Sequence, residues 1–115
     1  MNRYERAGVL DDVRSSKRVV LVDARRAEAA KTFHAVVADA IEGEWVRVRR
    51  ANGAECAEHI DGGELIVQSI GDGLRGLTCD VVTADNHRAM SLAQVEKLFE
   101  YATLAGNAEV VSCSG

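Results

Sequence analysis

The sequence predicts a three-layer α/β sandwich: a mostly parallel sheet between helices, extended at one side by an antiparallel meander. Three observations carry the prediction. Residues 18–23 and 80–84 (RVVLVD, DVVTA) are short apolar, β-branched runs, as in buried strands, and residues 108–112 (AEVVS) are a third apolar strand. Residues 2–15 and 24–42 and the stretch after Ser91 place apolar residues at helical spacing. From Trp45 the period changes to two, and Asn52-Gly53 and Asp61-Gly62-Gly63 follow as turn signals. Strands alternating with helices imply right-handed parallel crossovers, and therefore helices on both faces of the sheet.

Taken in order, Tyr4, Ala7, Leu10 and Val13 predict an amphipathic helix over residues 2–15, stopped by Ser15-Ser16-Lys17. The first buried strand follows at residues 18–23. Ala27, Ala30, Phe33, Val37, Ala40 and Ile41 then line one side of a long helix over residues 24–42, with Gly43 placed to close it. Trp45-Val46-Arg47-Val48-Arg49 alternates apolar and basic, as a half-exposed strand does. Residues 55–60 return antiparallel, and residues 65–70 complete a three-strand meander. Gly71, Gly73 and Gly76 make a flexible crossing into a strand over residues 78–84. Ser91 with Gln94 is a capping-box pattern, in which each side chain satisfies the other's free backbone N–H. It starts a helix whose predicted core side is Leu92, Val95, Leu98, Phe99 and Ala102, ended by Gly106-Asn107 before the last strand. With 115 residues and no internal boundary, repeat or low-complexity stretch, residues 1–115 read as one domain.

The bulk composition excludes several classes. A net charge of -4 argues against a protein that coats nucleic acid through charge alone, while leaving room for a local basic surface. Cys56, Cys79 and Cys113 show no paired spacing, which fits a reducing compartment, and Cys79 and Cys113 read as buried inert thiols. Zinc needs a His or Cys pair at ligand spacing, so no metal and no cofactor are predicted. No window approaches the roughly 18 apolar residues of a membrane span, which predicts a soluble, cytoplasmic protein with no membrane partner.

In linear order the motifs resemble those of the RecA-like ATPase core of phage large terminase subunits and superfamily-two helicases. Such cores pass from a strand like residues 18–23 into a long helix like residues 24–42. A hairpin region like Asn52-Gly53 through Gly62-Gly63-Glu64-Leu65-Ile66 comes next, then an Arg-Gly element, here Leu74-Arg75-Gly76-Leu77. A Walker B strand like residues 80–85 and a Ser/Thr-rich end like Val110-Val111-Ser112-Cys113-Ser114-Gly115 complete the set. The resemblance covers residues 16–115. Two departures stand out. There is no GxxxxGK[ST], the loop whose backbone N–H groups, Lys and hydroxyl hold a triphosphate and Mg²⁺, and the chain opens at the helix that would follow it. Asn86 stands where the family places the Glu that activates water, and an amide is no general base at neutral pH. The resemblance thus implies a phosphate-loop-less core with a degenerate Walker B at Asp85 and Asn86 and no catalytic residue. In relatives the phosphate-loop strand lies beside the last strand of this chain. Val110, Val111 and Ser112 are therefore expected to form an unpaired apolar edge that a second copy or another protein covers.

Each remaining candidate has a plainer rival reading. Arg47, Arg49 and Arg50 beside Trp45 form a patch for phosphates and a stacked base of DNA or RNA, or else a solvated strand with edge-protecting charge. Arg25, Arg26 and Lys31 open the long helix where helicase relatives touch the nucleic-acid backbone, although Glu28 and Asp39 dilute the charge. Arg75 holds a phosphate, or pairs with Asp72 or Asp80. Asp85 reads first as a remnant carboxylate capping the next turn, and second as a Mg²⁺ ligand through water. His87, alone after a strand, is not expected to be a ligand or a base. The expected function is a non-catalytic, self-associating phage module in the host cytoplasm that binds nucleic acid or a partner protein. The alternatives are a partial ATPase completed in trans by a chain carrying the phosphate loop, and a regulator of phage or host DNA machinery acting by protein contact.

Overall fold

The computed structural model describes residues 1–51, 54–70 and 78–113. The Asn52-Gly53 turn, the Gly-rich crossing with Arg75, and Ser114-Gly115 lie outside the described residues. The alternation of side chains along the first strand fixes the layering. In β1 (Arg18–Val22), Val19 and Leu21 point to one face and Val20 and Val22 to the other, and all four are buried. Both faces of the sheet are therefore covered at its centre.

Helix α1 (Arg3–Arg14) precedes β1, and α2 (Arg26–Asp39) follows it. Then come β2 (Trp45–Arg49), β3 (Cys56–His59), β4 (Glu64–Val67), β5 (Val81–Ala84), a 3₁₀ turn at His87–Ala89, α3 (Leu92–Leu104) and β6 (Glu109–Ser112). The six strands form one sheet in the order β2-β3-β4-β1-β5-β6. β4, β1, β5 and β6 are mutually parallel, and β3 runs antiparallel to both of its neighbours. From β1 the chain moves to one side of the sheet, and from β5 to the other. Crossovers of one hand then put their helices on opposite faces. Accordingly α1 and α2 pack on one face with Val19, Leu21, Leu65 and Val81, and α3 packs on the other with Val20, Val22, Val82 and Ala84.

The expected fold class holds, and several details of phase do not. The buried residues of α1 are Val9, Leu10 and Val13, while Tyr4 and Ala7 are exposed. α2 ends at Asp39, because Ala40 is already extended (φ -74°, ψ 156°). Gly43, at φ +84°, serves the next turn instead, where Glu44 N bonds Ile41 O at 3.2 Å. The buried stripe of α2 is Ala29, Phe33, Val36 and Val37; Ala27 and Ile41 face solvent. On α3, Leu98, Tyr101 and Ala102 are buried, whereas Leu92 and Phe99 are 76% and 51% exposed. The apolar arc of α3 is wider than the single helix-on-sheet contact it has to fill.

A register shift between Trp45 and Arg47 breaks the alternation expected in β2. Trp45 and Val48 both pack toward the α1–α2 core, and Val46 is left 69% exposed. Arg47, Glu58, Glu64 and Arg18 stand opposite one another in a row across four strands. Arg47 lies 3.8 Å from Glu58, and Arg18 3.1 Å from Glu64, so the outer arginines offset the two carboxylates between them.

Candidate functional site

The connections leave the sheet in opposite directions at β1 and β5, so the crevice beyond their carboxyl ends is where an open α/β sheet offers a site. Val22, Ala84 and Ser112 are register partners across β1, β5 and β6. The residues that follow them, Asp23, Asp85 and Cys113, occupy the next row, as the bonds Asp85 N to Val22 O (2.8 Å) and Cys113 N to Ala84 O (2.9 Å) require. All three share the face that carries Val19, Leu21 and Val81, and so look toward α1 and α2.

Asp85 is 2% exposed and well supplied with donors. The Thr32 hydroxyl of α2 donates to Oδ2 at 2.8 Å, and Asn86 N donates to Oδ1 at 2.9 Å. The α-ammonium of Met1 stands 3.2 Å from Oδ1. Asp23 is 3% exposed, and its Oδ1 accepts from Arg25 N at 3.1 Å, which turns the chain into α2. Burial raises the Asp23 carboxyl above the ordinary range; the Arg25 N–H opposes this, and the charges of Asp85 and Glu28 add to it. Burial likewise pushes the Cys113 thiol up to about 11, with Glu5 and Asp85 adding to the shift, so it stays a thiol at neutral pH. Thr83 Oγ1 and His87 Nε2 are buried without a hydrogen-bond partner among the described residues.

Asn86 adopts the left-handed conformation (φ 52°, ψ 44°) and is exposed. Asn tolerates that region better than most side chains, so the backbone alone accounts for an amide here. Asp85 Oδ1 accepts from the next backbone N–H, that of Asn86, and no side chain caps the following 3₁₀ turn, whose N-cap residue is Asn86. No group of three or more His, Cys, Asp or Glu among the described residues is arranged to hold a metal ion. No helix among them is long and apolar enough to cross a membrane.

The basic candidates separate into engaged and open groups. Arg26 pairs with the buried Glu55 at 3.0 Å, Lys31 with Glu28 at 3.2 Å, and Arg47 with Glu58 at 3.8 Å. Trp45 is no open stacking platform: its Nε1–H donates to Val37 O at 3.1 Å, and its ring meets the His59 ring edge-on with centroids 5.4 Å apart. Arg25, Arg49 and Arg50 are exposed, with Arg50 reaching His34 Nδ1 at 3.2 Å. β2 runs in the direction of β1, so these three arginines lie along the carboxyl edge that also carries Asp23 and Asp85. Val110 and Val111 are half-buried on a strand that ends the sheet, and Ser112 is exposed there. Sequence reasoning missed Asp23 and Thr32. Asp23 closes an apolar β-branched run just as Asp85 follows one, so the same signal marks both.

No family model and no curated protein matches the sequence. Among solved structures, a point mutant of the ATPase domain of the Thermus phage P74-26 large terminase superimposes with a TM-score of 0.71 at 13% identity. The same domain without that mutation gives 0.62 at 15% identity. Each alignment covers 96% of this chain and 53% of the terminase domain, so the chain spans about half the length of the structures it matches. The shared property is the fold, a six-stranded, mostly parallel sheet of the terminase ATPase type.

Proposed function

We propose that this chain works by binding and not by hydrolysing ATP, as a terminase-like module that joins another polypeptide through the free edge of β6. The observation that supports this most directly is the pair Asp85-Asn86. Asp85 is buried and holds its donors, and the residue after it carries a neutral amide in a left-handed turn. A carboxylate whose oxygens are engaged, followed by a neutral amide, supports a site without a general base. The sequence also contains no GxxxxGK[ST]. The likeness of fold to a phage terminase domain favours a role beside phage DNA-handling proteins, in the host cytoplasm.

The test is phosphate release from Mg-ATP by the wild type and by Asp85→Asn. The reading expects no turnover above buffer in either. Turnover that the substitution abolishes overturns it, and turnover appearing only with a second chain that carries a phosphate loop supports the ATPase completed in trans. A nucleic-acid role is the second reading, favoured by the open arginines Arg25, Arg49 and Arg50 on the carboxyl edge. It expects salt-dependent binding of DNA or RNA that Arg49→Glu/Arg50→Glu removes.

A further inference from the structure

The two edges of the sheet are treated differently. β2 is blunted by Arg47, Arg49 and a register shift, devices that discourage pairing with another strand. β6, Glu109-Val110-Val111-Ser112, pairs without a register shift, and its single charge, Glu109, stands at its start. Its odd-numbered residues bond to β5: Glu109 N meets Asp80 O at 3.0 Å and Cys113 N meets Ala84 O at 2.9 Å. The N–H and C=O groups of Val110 and Ser112 therefore point away from the sheet.

Beside this edge, between α1 and β6, runs a groove of about 400 Å³. Val9, Thr83, Val111 and Cys113 line it, and Gly8 opens its wall, since a Cβ there would meet nothing within 4 Å. The buried Thr83 (1% exposed) contributes a hydroxyl with no partner among the described residues. The α1 margin of the groove carries Glu5, Asp11 and Asp12, and Glu109 lies on the same face of β6. Burial raises the Asp12 carboxyl; Lys17 opposes this, and Glu109 and Asp11 add to it. The cations nearby include Lys17, 3.7 Å from Asp12, Arg14, 3.8 Å from Asp11 and committed mainly to Glu44, and the α-ammonium of Met1, committed to Asp85 at 3.2 Å. The margin is thus acidic on balance.

We infer that β6 and the α1–β6 groove take up an extended, basic segment of another protein as a seventh strand. Its backbone bonds to Val110 and Ser112, while Lys or Arg on alternate residues meets Glu109 and the acidic margin of α1. A second copy is the poorer occupant, because twofold pairing through β6 brings two acidic α1 margins together. This rests on the proposal that the chain docks through β6, and it adds the chemistry of the partner.

The probe is a fluorescein-labelled, acetylated octapeptide of alternating Lys and Thr, titrated with the full chain beside an alternating Glu and Thr peptide. The basic peptide is expected to bind saturably and at least about tenfold more tightly than the acidic one. Ser112→Pro removes an outward N–H without touching the ladder to β5, and is expected to weaken binding about tenfold. Glu109→Lys, an exposed change, keeps the test open if the proline variant fails to fold, and is expected to weaken the basic peptide and relieve the acidic one. Equal affinity for the two peptides, or binding untouched by both substitutions, overturns the inference. Self-association lost in Ser112→Pro also overturns it, while leaving docking through β6 in place.

Discussion

Asn86 shows how a single backbone angle bears on function. At φ 52°, Glu in its place would carry the cost of a left-handed β-carbon, whereas Gly would not. Asn86→Glu is therefore expected to lower stability by about 1 kcal/mol, or about 5 °C in Tm, without creating ATP turnover. Asn86→Gly is expected to melt close to the wild type; thermal melts and a phosphate assay read both. Glu44 makes the pH-dependent counterpart. Arg14 binds it through both Nε and Nη2, and His59 Nε2–H donates to Oε1 at 2.9 Å, its Nδ1 being taken by Asp61 N at 3.0 Å. The Arg14 hydrogen bond above all, aided by His59 and Ile41 N and opposed by burial, lowers the Glu44 carboxyl from 4.5 to about 2. A depressed folded value adds stability that is complete above pH 4.5 and lost as pH falls toward 2. Stability, read by denaturation over that range, is expected to fall more steeply with falling pH for the wild type than for Glu44→Gln. For Asp23 the sign is reversed. Its raised value means that ionisation costs stability as pH climbs, so Asp23→Asn is expected to raise Tm at pH 7, with the gain fading toward pH 4.

The elements were legible in the sequence where a local rule acts alone. The Ser91–Gln94 box starts α3 with both reciprocal bonds in place, at 2.9 and 3.2 Å. The β-branched runs at residues 18–23 and 80–84 became the central strands β1 and β5, buried from Val19 to Val22 and from Val81 to Ala84, because such side chains suit a strand covered on both faces. The run at residues 108–112 became the edge strand β6 and is only half-buried. Phase was harder to read, since it depends on which neighbour arrives. The shift between Trp45 and Arg47 turns Val46 outward, and α3 buries Tyr101 while leaving Phe99 half exposed; neither choice is written in local spacing. Gly63 is a further case. It reads as a turn residue, yet a Cβ there would stand 1.9 Å from Val13 O at the end of α1. Gly63→Ala is therefore expected to cost about 3 kcal/mol in a denaturant titration.

At the scale of the whole molecule, topology gathers what the sequence scatters. Asp23, Asp85 and Cys113 become one row because β1, β5 and β6 are neighbours, and Arg25, Arg49 and Arg50 reach the same carboxyl edge because β2 runs with β1. The partners that engage Arg26, Lys31 and Arg47 were less visible. Glu28 lies one helical turn from Lys31, but Glu55 and Glu58 meet Arg26 and Arg47 only once the sheet has formed. The binding role proposed for this fold requires β6 to be an open edge in the free chain. Amide hydrogen exchange, resolved residue by residue in dilute protein, tests that requirement most directly. Val111 N–H is expected to exchange slowly, while Val110 and Ser112 N–H exchange as fast as solvent-facing amides. Slow exchange at all three would mean that the edge is already covered, and would contradict the account.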